Sequence, residues 1–389
     1  GVSSMEHPAP LTAGTGFYRW HAGAPDDDSF VAAYEEITNR INDKLLELKL
    51  EPLRLEDYPL DSKASSSVSN EFVVHAYGEA LADVGGMRED LVVLDADLTA
   101  DCRLKTFKAR YPDRFIENGI AEQDMVSMAG GLALSGFLPV VNTFASFLSA
   151  RANEQIYNNA CEQTRIIYVN HYAGLIPAGP GQSHQSIRDI SLFGALPNFE
   201  ILQPCNAIET RMAVEYIVNE SAGNCVLRLN IGPSPRVIQL PPDYVLTRGR
   251  GVTLAEGNDA ILFAYGPVML NEALVAAALL RDKGFQLKVV NMPWLNRVDT
   301  EWLKNIVGGC RAAYVLEDHA PVGGLGHMIL STMKRERIFE TMPFHIVGVE
   351  GIPACGTPAE ALSVHGLDGA TLSERISLHD ERTSAIASK

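Results

Sequence analysis

Glu122 follows a Gly-Ile-Ala turn and opens the stretch EQDMVSMAGGLAL, in which Met125, Met128, Ala129 and Leu132 share one helical face. A carboxylate at that position either complements the positive end of the helix or faces a cleft as an acid–base group. Phe144 and Phe147, in TFASF, offer flat apolar surface to a ligand ring or to a core. His184 lies in GPGQSHQ, a glycine-containing loop before a helix. An imidazole there shuttles protons near neutral pH or simply lies at the surface. Asp97 follows an apolar run, and carboxylates at strand ends line ligand clefts in parallel sheets, with a turn-forming role as the competitor. His319, in EDHAPVGG, stands near a predicted helix start.

These side chains need a scaffold to converge. Short apolar runs, LVVLD (91–95), LPVVN (138–142), RIIYVN (165–170), FEILQP (199–204) and CVLRL (225–229), alternate with helical patterns and show no period of two. Strands covered on both faces read this way, so the expectation is a parallel sheet with helical crossovers. After a proline- and arginine-containing boundary, PPDYVLTRGRG (241–251), the pattern restarts with DAILFAYG (259–266), QLKVVN (286–291), AAYVLED (312–318) and FHIVGV (344–349). Upstream, Phe30, Tyr34, Ile37, Ile41, Leu45 and Leu48 recur at helical spacing, and DSKASSSVSN (61–70) reads as a linker. The fold class is therefore α/β: two doubly wound domains, the second smaller, behind an N-terminal helical extension. The tail after about residue 370 is polar.

Composition removes several functions. The chain has 389 residues, 46% of them hydrophobic and 21% charged, which is enough apolar material for two cores. Its 48 acidic against 32 basic side chains give a net charge of −16, so nucleic acid is not an expected partner. No apolar run is long enough for a membrane span, and no leader-like segment is seen, so a cytoplasmic protein is expected. The six cysteines show no ligand spacing, so no protein-held metal is expected. PVGGLG (321–326) lacks the context of a dinucleotide fingerprint, and no GxSxG elbow is present.

YPDRFIENGIAEQDMVSMAGGLA (111–133), VVLDADLTAD (92–101), NTFASFLSARANEQI (142–156) and GPGQSHQSIRDISLF (179–193) resemble, in order and spacing, segments of the pyrimidine-binding domain of thiamine-diphosphate enzymes of the transketolase family. EDHAPVGGLG (317–326) resembles that family's C-terminal domain. The resemblance implies an N-terminal extension at 1–66, a pyrimidine-binding domain at 67–240 and a C-terminal domain at 250–389. It implies that Glu122 is the buried acid hydrogen-bonded to the cofactor's pyrimidine N1′, favouring the tautomer that ionises the thiazolium C2, with burial raising the carboxyl's pKa. Phe144, and with it Phe147, would hold the ring, and Asp97 and Leu98 would line the cofactor cleft. His184 would contact substrate, as would His171, one position out of the best register. His319 would be structural, because the C-terminal domain serves assembly.

The family's diphosphate-binding domain carries a GDG segment and a later Asn, and neither pattern occurs here. The expected partner is therefore a separate diphosphate-binding subunit that holds Mg²⁺ and the diphosphate, in an α₂β₂ assembly. YRWHAGAPDDDSFVAAYEEI (18–37) resembles the closing segment of that domain. The implied reaction moves a two-carbon ketol unit between sugar-like substrates. A 2-oxo acid dehydrogenase beta subunit, a deoxyxylulose-phosphate-synthase-like enzyme and a non-catalytic regulatory subunit are the alternatives. Three positions depart from the family's phosphate-holding set: Val74 and Ile231 where arginines stand, Ile231 lying three residues after Arg228, which matches a family arginine, and Asp101 where a serine stands. Asp101 and Arg228 are expected at the substrate. Pro180 replaces an aspartate that contacts a donor hydroxyl. The substrate's phosphate is thus expected to be absent, moved or replaced, with Arg103, Lys105 or Arg236 as compensating cations.

Overall fold

The computed structural model describes residues 27–53, 69–338 and 341–387. The chain forms two compact units that divide between Ser66 and Ser67. In the first, the expected amphipathic helix is α1 (Asp27–Glu47). Phe30 and Tyr34, one turn apart, bring their rings to 6.0 Å, and both stay exposed, at 57% and 46%. Residues 18–26 of the segment read as a closing piece, and residues 61–68 of the linker, lie outside the described residues.

The second unit starts with helix α2 (Val73–Met87) and builds a six-stranded sheet from β1 (Leu91–Asp95), β2 (Phe115–Glu117), β3 (Leu138–Phe144), β4 (Ile167–His171), β5 (Phe199–Leu202) and β6 (Asn224–Leu229). Every strand is parallel, in the order β2-β1-β3-β4-β6-β5. All residues of β1 and of β3 to β6 are buried, which explains why their sequences lack alternation. The crossovers carry α3 (Lys105–Arg110), α4 (Glu122–Leu134), α5 (Ala145–Arg151), α6 (Asn153–Cys161), α7 (Asp189–Gly194) and α8 (Ala207–Asn219). Asn206 starts α8 by accepting the Glu209 N–H, the N-cap arrangement that satisfies an orphan donor.

A five-stranded sheet follows, ordered β11-β10-β8-β9-β7. Its strands are β7 (Val252–Ala255), β8 (Ala260–Ala264), β9 (Leu287–Asn291), β10 (Ala312–Leu316) and β11 (Phe344–Val347). Only the edge strand β7 runs antiparallel, against β9. Helices α9 (Gly266–Asp282), α10 (Thr300–Val307), α11 (Leu325–Arg335), α12 (Pro358–His365) and α13 (Gly369–Ala387) complete this part. The polar tail is thus helix α13, which packs on α9 and buries Leu372 and Ile376.

The sheets meet at an edge. Trp294, just after β9, bridges to Leu202 on β5, while Gln203 donates its N–H to Pro293 and Leu295 donates to Ile201, at 2.9 and 2.8 Å. The outer edge of β5, which would otherwise present unpaired backbone, is closed in this way. Trp294 itself is fully buried, edge-on to Tyr216 at 5.0 Å.

Candidate active site

Parallel sheets place ligands outside the carboxyl ends of their strands, and the sequence-predicted residues gather there. Strand β3 ends at Phe144 and runs straight into α5, so Phe147 and Arg151 rise one turn apart from the same strand end. Glu122, the first residue of α4, is only 2% exposed. Its Oε1 accepts a hydrogen bond of 2.7 Å from the Arg151 Nη1. Glu122 is therefore buried as expected, but beside a cation. The same guanidinium lies 4.0 Å from the centre of the Phe147 ring.

An aromatic shelf continues from that ring. Phe147 meets His184 edge-on at 5.2 Å and Phe144 at 5.7 Å, and Tyr172 closes the group at 5.5 Å from Phe144 and 5.9 Å from His184. His184 is half-buried, and its Nδ1 lies 2.9 Å from the Ser183 hydroxyl. Burial, with the Arg151 charge second, lowers its proton affinity, so the imidazole is neutral at pH 7. The loop carrying it is fixed by the paired Gly174–Ser186 backbone bonds and by Ser146, whose hydroxyl donates to the Ser183 carbonyl at 3.1 Å. Phe147, His184 and Phe144 thus form one connected group, to which Arg151 joins Glu122.

The β1 end supplies carboxylates. Asp97 takes a left-handed conformation, φ 61°, with its N–H donated to Glu117 at 2.8 Å and its side chain exposed. Leu98 is half-buried beside it and donates its N–H to Asp95. Asp95, to which the sequence alone assigns no role, is fully buried and also accepts the Thr99 hydroxyl at 2.6 Å. Burial pushes its carboxyl up to about 7, against the Thr99 bond and with the Glu117 charge adding. Asp101 is half-buried on the same loop. Nearby, His75, Glu79, Arg103 and Lys105 line a cavity of about 200 Å³, while Arg236 is exposed elsewhere.

Other expected residues point inward. His171 ends β4 with no exposed surface, its Nε2 3.1 Å from the Asn142 Oδ1 that also accepts the Tyr77 hydroxyl. Burial pushes its pKa down to about 3. Arg228, on β6, is likewise sealed: it donates to Asp189 at 2.8 and 3.1 Å and to Gln203, and its Nη1 lies 3.5 Å from Asp318 of the β10 end. His319 follows Asp318, is buried, and titrates near 4, chiefly through burial. Gly174 lets Asp318 approach: at φ 87° a Cβ there would stand 1.8 Å from its Oδ2. Val74 is buried, Ile231 half-buried and Pro180 exposed. A cavity of about 550 Å³ opens at the opposite, amino end of the sheet, lined by Glu200, Tyr216, Arg248 and Arg297. It shares no residue with the Glu122 cleft. Among the described residues, no group of three His, Cys, Asp or Glu side chains could hold a metal ion, and no helix is long and apolar enough to cross a membrane.

Arg151, Tyr172 and Asp95 are the site residues that sequence reasoning missed. Arg151 had one local signal, its position four residues after Phe147 on a helix.

Comparison with known proteins identifies the two domains. Residues 73–232 match the model of the transketolase pyrimidine-binding domain, and residues 249–372 match that of the transketolase C-terminal domain. The chain is 30% identical over 280 residues to one subunit of the apulose-4-phosphate transketolase of Actinobacillus succinogenes, covering 72% of this chain and 89% of that protein. It is 28% identical to human transketolase over 371 residues, spanning 58% of that longer protein. The solved structure of a split-gene transketolase, described as an inactive β4 tetramer, superposes with a TM-score of 0.71 at 32% identity, over 79% of this chain and 98% of that one. The chain belongs to the transketolase family, of which it carries the pyrimidine-binding and C-terminal domains.

Proposed function

We propose that this chain is the pyrimidine-binding subunit of a two-subunit, thiamine-diphosphate-dependent transketolase that moves a two-carbon ketol unit between sugar-like substrates. The carrying observation is the Glu122 carboxylate, 3% exposed as a side chain, whose partner Arg151 lies over the Phe147 ring of the partly exposed Phe147 and His184 shelf. A flat ring with a basic edge nitrogen fits that pairing of acid and aromatic face. Thiamine diphosphate, when bound, supplies the nucleophilic carbon that carries the ketol unit.

This chain's residues then divide the work. Glu122 shares a proton with the ring nitrogen N1′, Phe147 and Phe144 hold the ring flat, and Asp97 and Leu98 line the approach. His184, neutral at pH 7, donates to or accepts from a substrate oxygen, and Asp101, on the loop after β1, is assigned to the substrate as well. His171 and Arg228, sealed behind the strand ends, support the fold rather than touch substrate. The diphosphate and Mg²⁺ belong to a partner subunit, in an α₂β₂ complex working in the cytoplasm. Support for a split enzyme comes from the high coverage of the apulose-4-phosphate transketolase subunit and of the split-gene relative, 89% and 98% of their lengths. We assign residues 1–66 to an extension that completes the partner's domain, 67–240 to the pyrimidine-binding domain and 250–389 to the C-terminal domain.

The substrate follows from the departures. Two missing arginines and one added carboxylate, at Val74, Ile231 and Asp101, disfavour a phosphate in the family's usual place, since charge-assisted bonds contribute about 1.5–3 kcal/mol each. The cavity lined by Arg103, Lys105 and Glu79 offers two cations and one carboxylate at another place. We therefore assign a ketose whose phosphate is absent, moved or replaced by another group. The test is a donor panel on the reconstituted complex: phosphorylated and non-phosphorylated ketoses, pyruvate and branched oxo acids. Ketose turnover supports the reading. Turnover of oxo acids alone would identify a 2-oxo acid dehydrogenase subunit, and a strong preference for xylulose 5-phosphate would overturn the substrate assignment.

A further inference from the structure

Resting on the reading of Glu122 and Phe147 as pyrimidine contacts, we propose that Arg151 is an internal competitor of the cofactor's ring, its guanidinium using the same carboxylate and the same aromatic face. The geometry is specific. The guanidinium is a planar, delocalised cation with N–H donors on its edge, and it both donates to Glu122 Oε1 at 2.7 Å and lies over the Phe147 ring at 4.0 Å. A bound pyrimidine makes the same two demands, a hydrogen bond in its plane and an aromatic surface beneath it. The Phe147 face cannot serve both groups at once, and Glu122 meets the guanidinium as an acceptor but the ring's N1′ through a shared proton.

Arg151 is free to yield. It is the last residue of α5, and its side chain is 43% exposed on a flexible stem, whereas Glu122 is held 3% exposed at the start of α4. Cofactor entry therefore turns Arg151 outward rather than moving Glu122. The competition also reaches His184, which meets the Phe147 ring at 5.2 Å and whose proton affinity the Arg151 charge lowers. Departure of the guanidinium removes that charge from beside the imidazole assigned to the substrate.

The test is calorimetric titration of thiamine diphosphate, with Mg²⁺, into the complex of this chain and its diphosphate-binding subunit. Removing a competitor removes a population penalty on binding, so Arg151→Ala should tighten Kd by roughly 3- to 10-fold. Arg151→Lys should fall between, because an ammonium pairs with Glu122 but cannot stack flat. Millimolar guanidinium chloride should weaken binding to Arg151→Ala more than to the unsubstituted complex. A thermal melt of each variant checks that it is folded. If Arg151→Ala binds the cofactor no more tightly, Arg151 supports the ring and the proposal is overturned. Glu122→Gln and Phe147→Ala separate the two levels: if neither changes Kd, the ring does not lie there, and the reading of the site fails with the proposal.

Discussion

Two charged groups stand at the carboxyl end of the same parallel sheet and are built differently. At the junction between the sheets, Arg228, Asp189 and Asp318 are fully covered, and Arg228 donates to both Asp189 oxygens and to Gln203. In the cleft, Glu122 is equally covered, yet its partner Arg151 is 43% exposed and its neighbours are aromatic faces. The first arrangement spends its charges on one another, and breaking it would strand a buried ion. The second leaves a buried carboxylate whose cation can leave without disturbing the core. Pairing on all sides marks a structural joint, and pairing from the solvent side marks a place where a ligand can exchange with a side chain.

Substitutions can break this contrast. Arg228→Ala should destabilise the chain by about 3–5 kcal/mol, because Asp189 and Asp318 lose their counter-ion in a sealed site. Chemical denaturation would show it, and activity should fall only as the folded fraction falls. Glu122→Gln should do the reverse. The amide keeps the shape and the melting temperature, while turnover in the reconstituted complex falls on the order of 10² or more. A Glu122→Gln protein that loses stability rather than turnover would move Glu122 into the class of Arg228.

Acid sharpens the contrast further. His171 and His319 are held near 3 and 4 by burial, below the ordinary histidine value. The unfolded chain takes up protons below about pH 6.5 that the folded chain refuses, so each histidine lowers stability as pH drops, by about 1.4 kcal/mol per unit. The buried carboxyls of Asp95 and Glu317, held near 7 and 8, take up protons in the folded state first and oppose that fall. The fall continues until pH reaches the folded values. Denaturation midpoints between pH 7 and 4, compared between the unsubstituted chain and His171→Gln, isolate one histidine's share: the difference between the two should grow by about 1.4 kcal/mol per pH unit. His184, half-exposed in the cleft, carries the smallest predicted effect: His184→Asn should reduce kcat/KM about tenfold, the worth of one hydrogen bond, with little change in stability.

The legible part of this molecule was the part encoded locally. Buried parallel strands announce themselves as unbroken apolar runs, and each such run is a strand in the structure. Strands β2 and β7 are not visible in this way, being three and four residues long, at sheet edges and only partly covered. Glu122, Phe144, Phe147 and His184 could be read because each lies in a distinctive string. Arg151 could not be read, since its meaning depends on Glu122 lying 29 positions earlier in sequence and 2.7 Å away in space. Nor could Arg228's burial, which is decided by Asp318 arriving from the second sheet. Long-range pairing of charges is the information that a single sequence hides.

The central claim is that Glu122 and its ring shelf form only the pyrimidine half of a cofactor site. Calorimetric titration of thiamine diphosphate with Mg²⁺ into the isolated chain, and then into its complex with a diphosphate-binding subunit, tests it most directly. The account predicts weak binding by the chain alone and tight, Mg²⁺-dependent binding by the complex. Tight, Mg²⁺-dependent binding by the isolated chain would contradict it.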